Sequence, residues 1–346
     1  MRDRQLDLIR GGIMIWIMLV HCLYWMGLFA SENVIISFFL IEMPIIFFIT
    51  GASNSLAKPK TLVHFYISRF KRIILPYWIY SCIAIVLIAS ASIFFKQENH
   101  LVILDWFFPH SYGLWSNWPY IAWHLWFIPV YIMIIALYPF LKRIYDYLPS
   151  YTKFLPLVLA IIILFCFIDN KPYSIYVKYL LVYGFFTYLG LFYPDFKEQK
   201  NLKYTAGVIG IISFVICFLL VKSPDYPLNM QYNKFPPNSL FLFYNLMMLC
   251  FLYIGGKYIL KLLSLSKIKR ILDIYSSLGY TIYLYHPFSF VVLSVLLNLF
   301  KLNDIAKQHS VIALCCYFLF VVLFNILIAK FFGSIEKMDY KLSKLK

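Results

Sequence analysis

Charged side chains are scarce in this sequence of 346 residues, and acidic ones are the scarcer kind. Charged residues make up 13% of the chain and hydrophobic residues 62%, whereas a soluble globular domain has about 25% charged residues. This composition cannot cover a water-facing surface, which excludes the soluble classes of protein. The 31 basic residues outnumber the 15 acidic ones, but they lie scattered between apolar runs rather than in the stripe typical of nucleic-acid binding. The sequence therefore predicts a membrane protein with several spans and no nucleic-acid partner.

The sequence also lacks a Cys-x-x-Cys pair, and it has no cysteine in a polar loop. Cysteines inside apolar runs are usually small packing residues rather than disulfide partners or metal ligands. We therefore expect them in the core of the protein, and we expect no metal site. The seven cysteines are at positions 22, 82, 166, 217, 250, 315 and 316.

Ten apolar runs, bounded by basic residues, proline, asparagine or aspartate, predict ten transmembrane helices. The first lacks a small-x-small cleavage motif and similar runs follow it, so we expect a retained span rather than a signal peptide. The predicted fold is an all-α bundle, with one membrane domain over residues 1–332 and a short basic tail over residues 333–346. The predicted spans are 11–29, 33–56, 73–95, 120–141, 154–168, 174–193, 204–221, 239–256, 278–300 and 309–332.

The distribution of basic residues among the loops predicts the orientation of these spans. Ten spans put both termini on the same side of the membrane. The loops on that side hold 24 of the 31 lysines and arginines, against 7 on the other side. Because positive residues concentrate on the cytoplasmic side, both termini are expected in the cytoplasm, and the longest loop, about 97–119, is expected outside.

Four ionisable residues lie within or at the edge of these spans, where charge is costly and therefore usually functional. Glu42, His21 and His286 are deep in apolar runs, and His124 is near the outer edge of the fourth. Counted from the outer turn at Ser31, His21 and Glu42 reach the same depth, roughly 15 Å inward at 1.5 Å per residue. A carboxylate beside an imidazole suits a general base. The alternative is a hydrogen-bonded pair that joins two helices.

Two basic elements lie at the predicted cytoplasmic side. Arg10 precedes His21 by eleven residues, about 20° past three full helical turns, so both share one helix face. Asp7 is spaced to form an ion pair with Arg10. Alternatively, Arg10 only anchors the helix at the cytoplasmic surface, where basic residues concentrate. Arg69 and Arg72 also share a face, and their guanidinium groups suit phosphate. Lipid headgroups are an equally good partner for this second element.

The segment from Asp105 to Trp126 carries five of the eight tryptophans. Aromatic rings collect at membrane interfaces, but such a surface also suits the stacking of sugar rings. Either interpretation places the segment at the outer face. Its aromatic residues and histidine include Trp106, His110, Tyr112, Trp115, Trp118, Tyr120, Trp123 and Trp126.

Several motifs taken together resemble the acyltransferase family 3 membrane proteins. In the first span, RQLDLIRGGIMIWIMLVHC is similar to the family's first-helix pattern, in which ten residues separate a basic residue from an essential histidine. These two residues are here Arg10 and His21. MPIIFFITG resembles the family's second-helix motif, and RFKR with ILPYW resembles its Arg-x-x-Arg element. HLWF and SLGYTIYLYHPF are similar to further elements of the short stand-alone members. The resemblance extends from residue 4 to about residue 290.

The resemblance implies an enzyme of the cytoplasmic membrane of a bacterium. Such an enzyme takes an acyl group, usually acetyl, from acyl-CoA on the cytoplasmic side and passes it to a hydroxyl of an extracytoplasmic glycan or glycolipid. Arg69, Arg72 and Arg10 would hold the CoA phosphates. His21 would act as general base or be acylated itself. Glu42 departs from the small polar residue or histidine expected of the family at that position, so its role beside His21 rests on the equal depth alone. The expected substrate contacts are His124, Trp126, Tyr283 and His286.

Other classes of function stay open from the sequence. A midplane glutamate and histidine within ten spans also fit a proton-coupled transporter or flippase. Such carriers often have two related halves and broken helices, and the sequence shows neither. A membrane-embedded sensor or scaffold would give no reason for Arg10 to share a face with His21. His286 would steady an oxyanion or the acyl arm, or it would be a satisfied structural histidine.

Overall fold

The computed structural model of the protein describes residues 3–30, 32–57, 61–95, 103–108, 119–169, 171, 175–199 and 201–342. Over these ranges the backbone is mostly helical, and the only β-type pairing is an isolated bridge between Lys234 and Pro237. The prediction of an all-α fold is confirmed.

Eighteen α-helices follow one another along the described chain. Short 3₁₀ turns at Ile103–Trp106 and Trp123–Trp126 and a π-helical turn at Leu164–Ile168 accompany them. The last helix continues past residue 332, so helical backbone extends into the predicted tail. The helices are α1 (Arg4–Trp25), α2 (Val34–Ser37), α3 (Glu42–Ser55), α4 (Leu62–Phe95), α5 (Pro119–Ala122), α6 (Phe127–Tyr147), α7 (Leu155–Ile163), α8 (Ile175–Leu191), α9 (Tyr193–Glu198), α10 (Leu202–Leu220), α11 (Met230–Lys234), α12 (Ser239–Ile254), α13 (Gly256–Leu263), α14 (Ser266–Ser277), α15 (Gly279–Tyr285), α16 (Pro287–Leu299), α17 (Asn303–Gln308) and α18 (Ser310–Leu342).

Several of these helices are long and apolar enough to cross a membrane. In the described part of the chain there are six, or eight if the bent pairs α12 with α13 and α15 with α16 each form one span. The predicted fifth and sixth spans correspond to shorter apolar helices, Leu155–Ile168 and Ile175–Leu191. The protein is thus a multi-pass membrane protein, while the count of ten spans and the orientation stay predictions. The six spanning segments are Arg4–Trp25, Val34–Ser55 (α2 and α3 with the turn between them), Leu62–Phe94, Trp123–Tyr147, Leu202–Leu220 and Ser310–Ser334.

Two of the predicted spans are broken, although the sequence showed no sign of broken helices. The second span consists of α2 and α3 with a turn over residues 38–41, and the ninth bends by 40° between α15 and α16. A break inside an apolar bundle requires new partners for the freed backbone groups. At the first break, the Tyr244 hydroxyl donates to the Phe38 carbonyl, and the Trp16 indole N–H donates to the Phe39 carbonyl at 2.8 Å.

The helices form two compact units, each drawn from separate stretches of the sequence. The first unit contains Met1–Val20, Phe29–Pro59 and Met133–Ser276. The second unit contains His21–Leu28, Lys60–Ile132 and Ser277–Lys346.

In the first unit, α3 and α8 approach so closely that two glycines are required at their contact. A Cβ on Gly51 would overlap the carbonyl oxygen of Thr187, and a Cβ on Gly190 would overlap that of Phe48. Only a residue without a side chain permits this distance between the two backbones. Gly51 is the last residue of the MPIIFFITG motif, so this position of the motif has a packing role.

Loops that the sequence predicts on one side of the membrane meet in the first unit. The Asn229 side-chain amide donates to the Glu32 carbonyl at 3.1 Å. The Tyr226 hydroxyl and the Ser239 backbone N–H donate to the Asp169 carboxylate at 2.8 and 3.0 Å. Burial raises the pKa of Tyr226, and Asp169 raises it further, so the phenol keeps its proton and remains a donor. These contacts bring three predicted outer loops to one end of the unit.

The second unit is built around α4, α15, α16 and α18. The Tyr280 hydroxyl on α15 donates to the Ile73 carbonyl of α4 at 2.8 Å. The rings of Tyr285 on α15 and Phe332 on α18 stack with their centroids 4.2 Å apart. These contacts fix the position of α15, which leads directly into His286.

The cysteines are not uniformly in the core. Cys22 and Cys250 are buried and Cys217 is half-buried. The prediction of core positions is wrong for the other four, because in a membrane bundle an apolar run faces lipid as readily as it faces neighbouring helices. The exposed cysteines are Cys82, Cys166, Cys315 and Cys316.

Candidate active site

The second unit brings together His21 and His286, two of the residues selected from the sequence. Nδ1 of His21 lies 2.7 Å from Nε2 of His286. Stacked rings cannot approach closer than about 3.5 Å, so these rings meet edge to edge, with their planes 17° apart. His286 is fully buried and His21 is half-buried. We call these two residues the histidine pair.

His286 lies at the break between α15 and α16, and the break gives its second nitrogen a partner. Nδ1 of His286 lies 2.6 Å from the carbonyl oxygen of Tyr283. The Ser289 hydroxyl donates to the carbonyl of His286 itself at 2.5 Å. Side chains of the same segment therefore bind two of the backbone groups at the break.

Aromatic rings enclose the histidine pair. Trp25, one turn after His21 on α1, stacks on the His21 ring with centroids 3.9 Å apart. The same indole is nearly parallel to the His286 ring, at 5.5 Å. Phe290 meets both Trp25 and His286 edge-on, at 5.2 and 6.1 Å. Apolar surroundings strengthen a hydrogen bond, so the bond within the pair gains from this enclosure.

His124 is buried against the histidine pair. Its ring is nearly perpendicular to that of His286, with centroids 5.1 Å apart, and the Tyr283 ring packs on it at 5.3 Å. The Tyr283 hydroxyl donates to the His124 backbone carbonyl. The ring nitrogens of His124 make no well-formed hydrogen bond with the described residues, although the backbone of Leu284 is nearby. Three of the four expected substrate contacts thus lie side by side.

Trp126, the fourth expected contact, packs edge-on against Phe127 at 6.3 Å. Its neighbour Trp123 reaches the site: the Trp123 side chain is 49% exposed, and its ring meets Trp25 at 6.4 Å. Both interpretations of the aromatic segment stay open, because much of it lies outside the described residues. This part includes His110, Tyr112, Trp115 and Trp118.

Arg69 and Arg72 lie three residues apart on α4. This helix begins at Leu62, eleven residues before the predicted start of the third span at 73, so both arginines belong to the spanning helix. The Arg69 guanidinium lies over the Phe65 ring, 5.2 Å from its centroid, while the Arg72 side chain is exposed. Their role in phosphate binding stays a prediction.

Glu42 forms a buried ion pair with Lys234 in the first unit. The Lys234 ammonium donates to Oε1 of Glu42, and the two side chains are 5% and 3% exposed respectively. Glu42 begins α3, where the helix N-terminus favours a negative charge. Equal depth along the two helices predicts Glu42 beside His21, but the structure gives Glu42 the partner Lys234 and gives His21 the partner His286. The reason is that the chain before α12 folds back onto α3, which counting residues along spans does not reveal.

Arg10 is bound within the first unit. Its guanidinium lies 2.9 Å from the Asp7 carboxylate, which confirms the predicted ion pair, and 2.7 Å from the Ser53 hydroxyl. Arg10 and His21 are both on the continuous helix α1, as their predicted common face requires. These contacts join α1 to α3, and a catalytic role for Arg10 stays a prediction.

Three residues around the histidine pair are not among the predicted site residues: Trp25, Pro287 and Phe290. Trp25 follows His21 by four residues, a spacing at which side chains meet on a helix. Pro287 directly follows His286, which signals a helix break beside an intramembrane histidine. Aromatic residues make up 21% of the chain, so spacing alone does not distinguish these rings from packing residues.

The fold is that of a multi-pass helical membrane protein, and its second unit holds a hydrogen-bonded histidine pair among aromatic rings. The sequence profile of the family described as "Acyltransferase domain" matches residues 3–330, nearly the whole chain. The chain therefore belongs to the acyltransferase family 3 membrane proteins, and the resemblance seen in its motifs is confirmed. No significant match was found among curated proteins or among solved structures.

Proposed function

We propose that the protein is an acyl-CoA-dependent O-acyltransferase of the bacterial cytoplasmic membrane, with His21 as general base. The donor is cytoplasmic acyl-CoA, with acetyl as the most suitable group, and the acceptor is a hydroxyl of an extracytoplasmic glycan or glycolipid. The observation that carries the proposal is the hydrogen bond between His21 and His286 inside an aromatic enclosure. An imidazole held in this way can take a proton from a hydroxyl in competition with little water.

The reaction needs one proton acceptor and one leaving group. His21 takes the acceptor's hydroxyl proton as the oxygen attacks the thioester carbonyl carbon. The new carbon–oxygen bond forms, the carbon–sulfur bond breaks, and the departing CoA thiolate receives the proton from His21. The alternative course is acylation of His21 followed by attack of the acceptor. We favour the general-base course because a hydroxyl is a poor nucleophile until a base removes its proton.

A path for the donor is supported by the second unit alone. Arg69 and Arg72, which suit the phosphates of CoA, precede Ile73 on α4, and Ile73 accepts the hydrogen bond of Tyr280. His286 follows Tyr280 by six residues, about 9 Å along the helix axis. The thioester arm would therefore run along α15, past Tyr280, to reach the histidine pair.

A path for the acceptor is supported by the tryptophans. Trp123 is exposed and contacts Trp25, which stacks on His21. Rings of this kind stack on sugars, and indole N–H groups bind hydroxyls. Buried His124, beside His286, offers ring nitrogens for an acceptor hydroxyl or for the developing oxyanion.

One experiment tests donor binding and transfer together. Purified protein in lipid discs is titrated with acetyl-CoA, and acetylation of glycans is measured by mass spectrometry in cells that carry each variant. His21→Ala is expected to bind acetyl-CoA normally and to transfer no acetyl group. Arg69→Gln with Arg72→Gln is expected to weaken binding by at least about tenfold per arginine, because each loses a charge-assisted hydrogen bond.

The control for lost positive charge is Lys257→Gln with Lys261→Gln, two exposed lysines on α13, which should bind as the wild type does. Equal loss of binding in both double variants would mean that the arginines act only through net charge. Wild-type glycan acetylation in His21→Ala would exclude His21 as the base. The absence of acetyl-CoA binding by the wild type would refute the donor proposal.

A proton-coupled transporter is the second candidate, because the structure has the broken helices that such carriers use. One break precedes Glu42 and the other holds His286, so an ionisable residue lies at each. Proton uptake into vesicles that depends on a glycolipid gradient, with no need for acyl-CoA, would favour this candidate. The same uptake assay should show no flux if the enzyme proposal is correct.

A further inference from the structure

We propose that His286 and Pro287 are positioning residues that set which ring nitrogen of His21 accepts the substrate proton. The inference rests on the proposed function, since it concerns the proton state of the proposed base. It assigns the lone pair of neutral His21 to Nε2, and it gives the neighbouring histidine and proline a role in keeping it there.

The first step concerns Nδ1 of His286. This nitrogen lies 2.6 Å from the carbonyl oxygen of Tyr283. A carbonyl oxygen can only accept a hydrogen bond, so Nδ1 of His286 carries a proton and donates it. A neutral imidazole has one N–H. The other nitrogen, Nε2, then carries a lone pair.

The lone pair on Nε2 of His286 determines where His21 carries its proton. Nε2 of His286 lies 2.7 Å from Nδ1 of His21, and an acceptor at this distance requires a donor opposite. Nδ1 of His21 therefore holds the proton. Neutral His21 is left with its lone pair on Nε2, which is the nitrogen that would take the proton of a hydroxyl.

This proton assignment holds for neutral His286, and the surroundings of His286 favour the neutral state. The side chain is fully buried, and the rings packed on it belong to Trp25, His124, Tyr283 and Phe290. None of these is a carboxylate that would compensate a positive charge. A buried charge without a counter-ion is strongly unfavourable.

Pro287 explains why the Tyr283 carbonyl can receive the His286 side chain. In a continuous helix, that carbonyl accepts the N–H of the residue four positions later. This residue is Pro287, which has no N–H, and α15 ends at Tyr285 with a 40° bend before α16. The sequence Tyr-x-x-His-Pro thus creates, within one turn, both the unsatisfied acceptor and the donor that binds it.

The consequence for catalysis is large, because a general base in the wrong tautomer presents a proton where its lone pair is needed. In serine proteases, a group that fixes the tautomer of the catalytic histidine contributes up to about 10⁴ in kcat. His286 is expected to act on His21 in the same sense, through a neutral acceptor rather than a carboxylate.

The direct test is the nitrogen NMR spectrum of histidine rings in the wild-type protein in lipid bilayers. Protonated and unprotonated ring nitrogens resonate far apart, and His21→Asn identifies the signals of His21 among the seven histidines. We expect His21 protonated on Nδ1 and unprotonated on Nε2 near neutral pH. A proton on Nε2 of neutral His21 in the wild-type protein would overturn the proposal.

Two substitutions of His286 separate its hydrogen bond from its bulk. His286→Leu fills similar space but accepts no hydrogen bond, so kcat should fall by about 10² to 10³ with little change in the KM for acyl-CoA. His286→Gln retains an amide oxygen that can accept from Nδ1 of His21, so it should recover kcat to within about tenfold of the wild type. His309→Leu, at an exposed position of the same unit, is the control. Equal activity of the Leu and Gln variants would refute the role of the acceptor.

Pro287→Ala tests the origin of the arrangement. It restores an N–H that competes for the Tyr283 carbonyl, so both tautomers of the histidine pair should appear in the NMR spectrum. Pro139→Ala, inside α6, controls for the loss of a helix proline elsewhere and should leave the spectrum unchanged. An unchanged spectrum in Pro287→Ala would remove the proline from the proposal.

The outcomes also distinguish this inference from the proposed function. If His21→Ala is inactive while His286→Leu keeps wild-type kcat, His21 remains the base and the positioning role is wrong. If His21→Ala keeps wild-type activity, the general-base proposal itself is wrong.

Discussion

Replacement of Lys234 by methionine is expected to destabilise the first unit strongly. The substitution preserves much of the side-chain volume but removes the counter-ion of Glu42, whose side chain is 3% exposed. Among the described residues, the second oxygen of this carboxylate already lacks a hydrogen-bond partner. Breaking a buried ion pair on one side costs about 3–5 kcal/mol, since an uncompensated charge is left in the interior.

Removing both charges of the Glu42–Lys234 pair is expected to cost far less than removing one. Replacing Glu42 by leucine as well as Lys234 by methionine removes both charges, and well-packed apolar residues in place of a buried ion pair are often neutral. Each single variant is expected to lose about 3–5 kcal/mol of unfolding free energy, and the double variant should recover most of that loss. The difference is the coupling energy of a double-mutant cycle.

The assay is equilibrium unfolding in mixed micelles, read from helix content and from tryptophan fluorescence. The matched control is the exposed pair Lys142 and Asp146, whose side chains are 33% and 56% exposed. Asp146→Asn should cost no more than about 0.5 kcal/mol. If Lys234→Met were as stable as the wild type, or if the double variant were no more stable than the single variants, the reasoning that the charges are buried and paired would be refuted.

Two further predictions concern the packing of the first unit. Gly51→Ala should destabilise the protein by at least about 1–3 kcal/mol, because the added Cβ overlaps the Thr187 carbonyl; Gly207→Ala, with nothing near its Cβ, should be neutral or slightly stabilising in the same unfolding assay. Asp169→Asn keeps an acceptor but removes the charge that binds Tyr226. The rate of amide hydrogen exchange in the loop after α10 should therefore rise by roughly tenfold, because the loop loses about 1.5 kcal/mol of stabilisation. Unchanged exchange would mean that these hydrogen bonds do not hold the loop.

The main features of the fold could be predicted from composition and pattern. Long apolar runs must satisfy their backbone groups internally, and in a membrane this means helices. The all-α class follows from that requirement. The helix boundaries differ from the predicted ones: α4 begins well before the predicted third span, because a basic amphipathic turn such as the one around Arg69 can continue a helix out of the apolar region.

The candidate site could be predicted in part. The cost of ionisable groups in apolar runs selected His21, His286 and Glu42, and the first two do meet. The Asp7 and Arg10 pair followed from spacing on one helix. Local spacing also contained the Tyr-x-x-His-Pro break, but its effect on the Tyr283 carbonyl required the geometry.

The sequence by itself determined the membrane class, the family and the choice of ionisable residues, because each depends on composition or on spacing within a helix. Only the tertiary structure decided which partner each ionisable residue has. Equal depth placed Glu42 level with His21, yet Glu42 binds Lys234 and His21 binds His286. Depth is a property of one helix, whereas contact depends on how helices and loops pack. In an apolar interior, each polar group binds whichever partner that packing brings within hydrogen-bond distance.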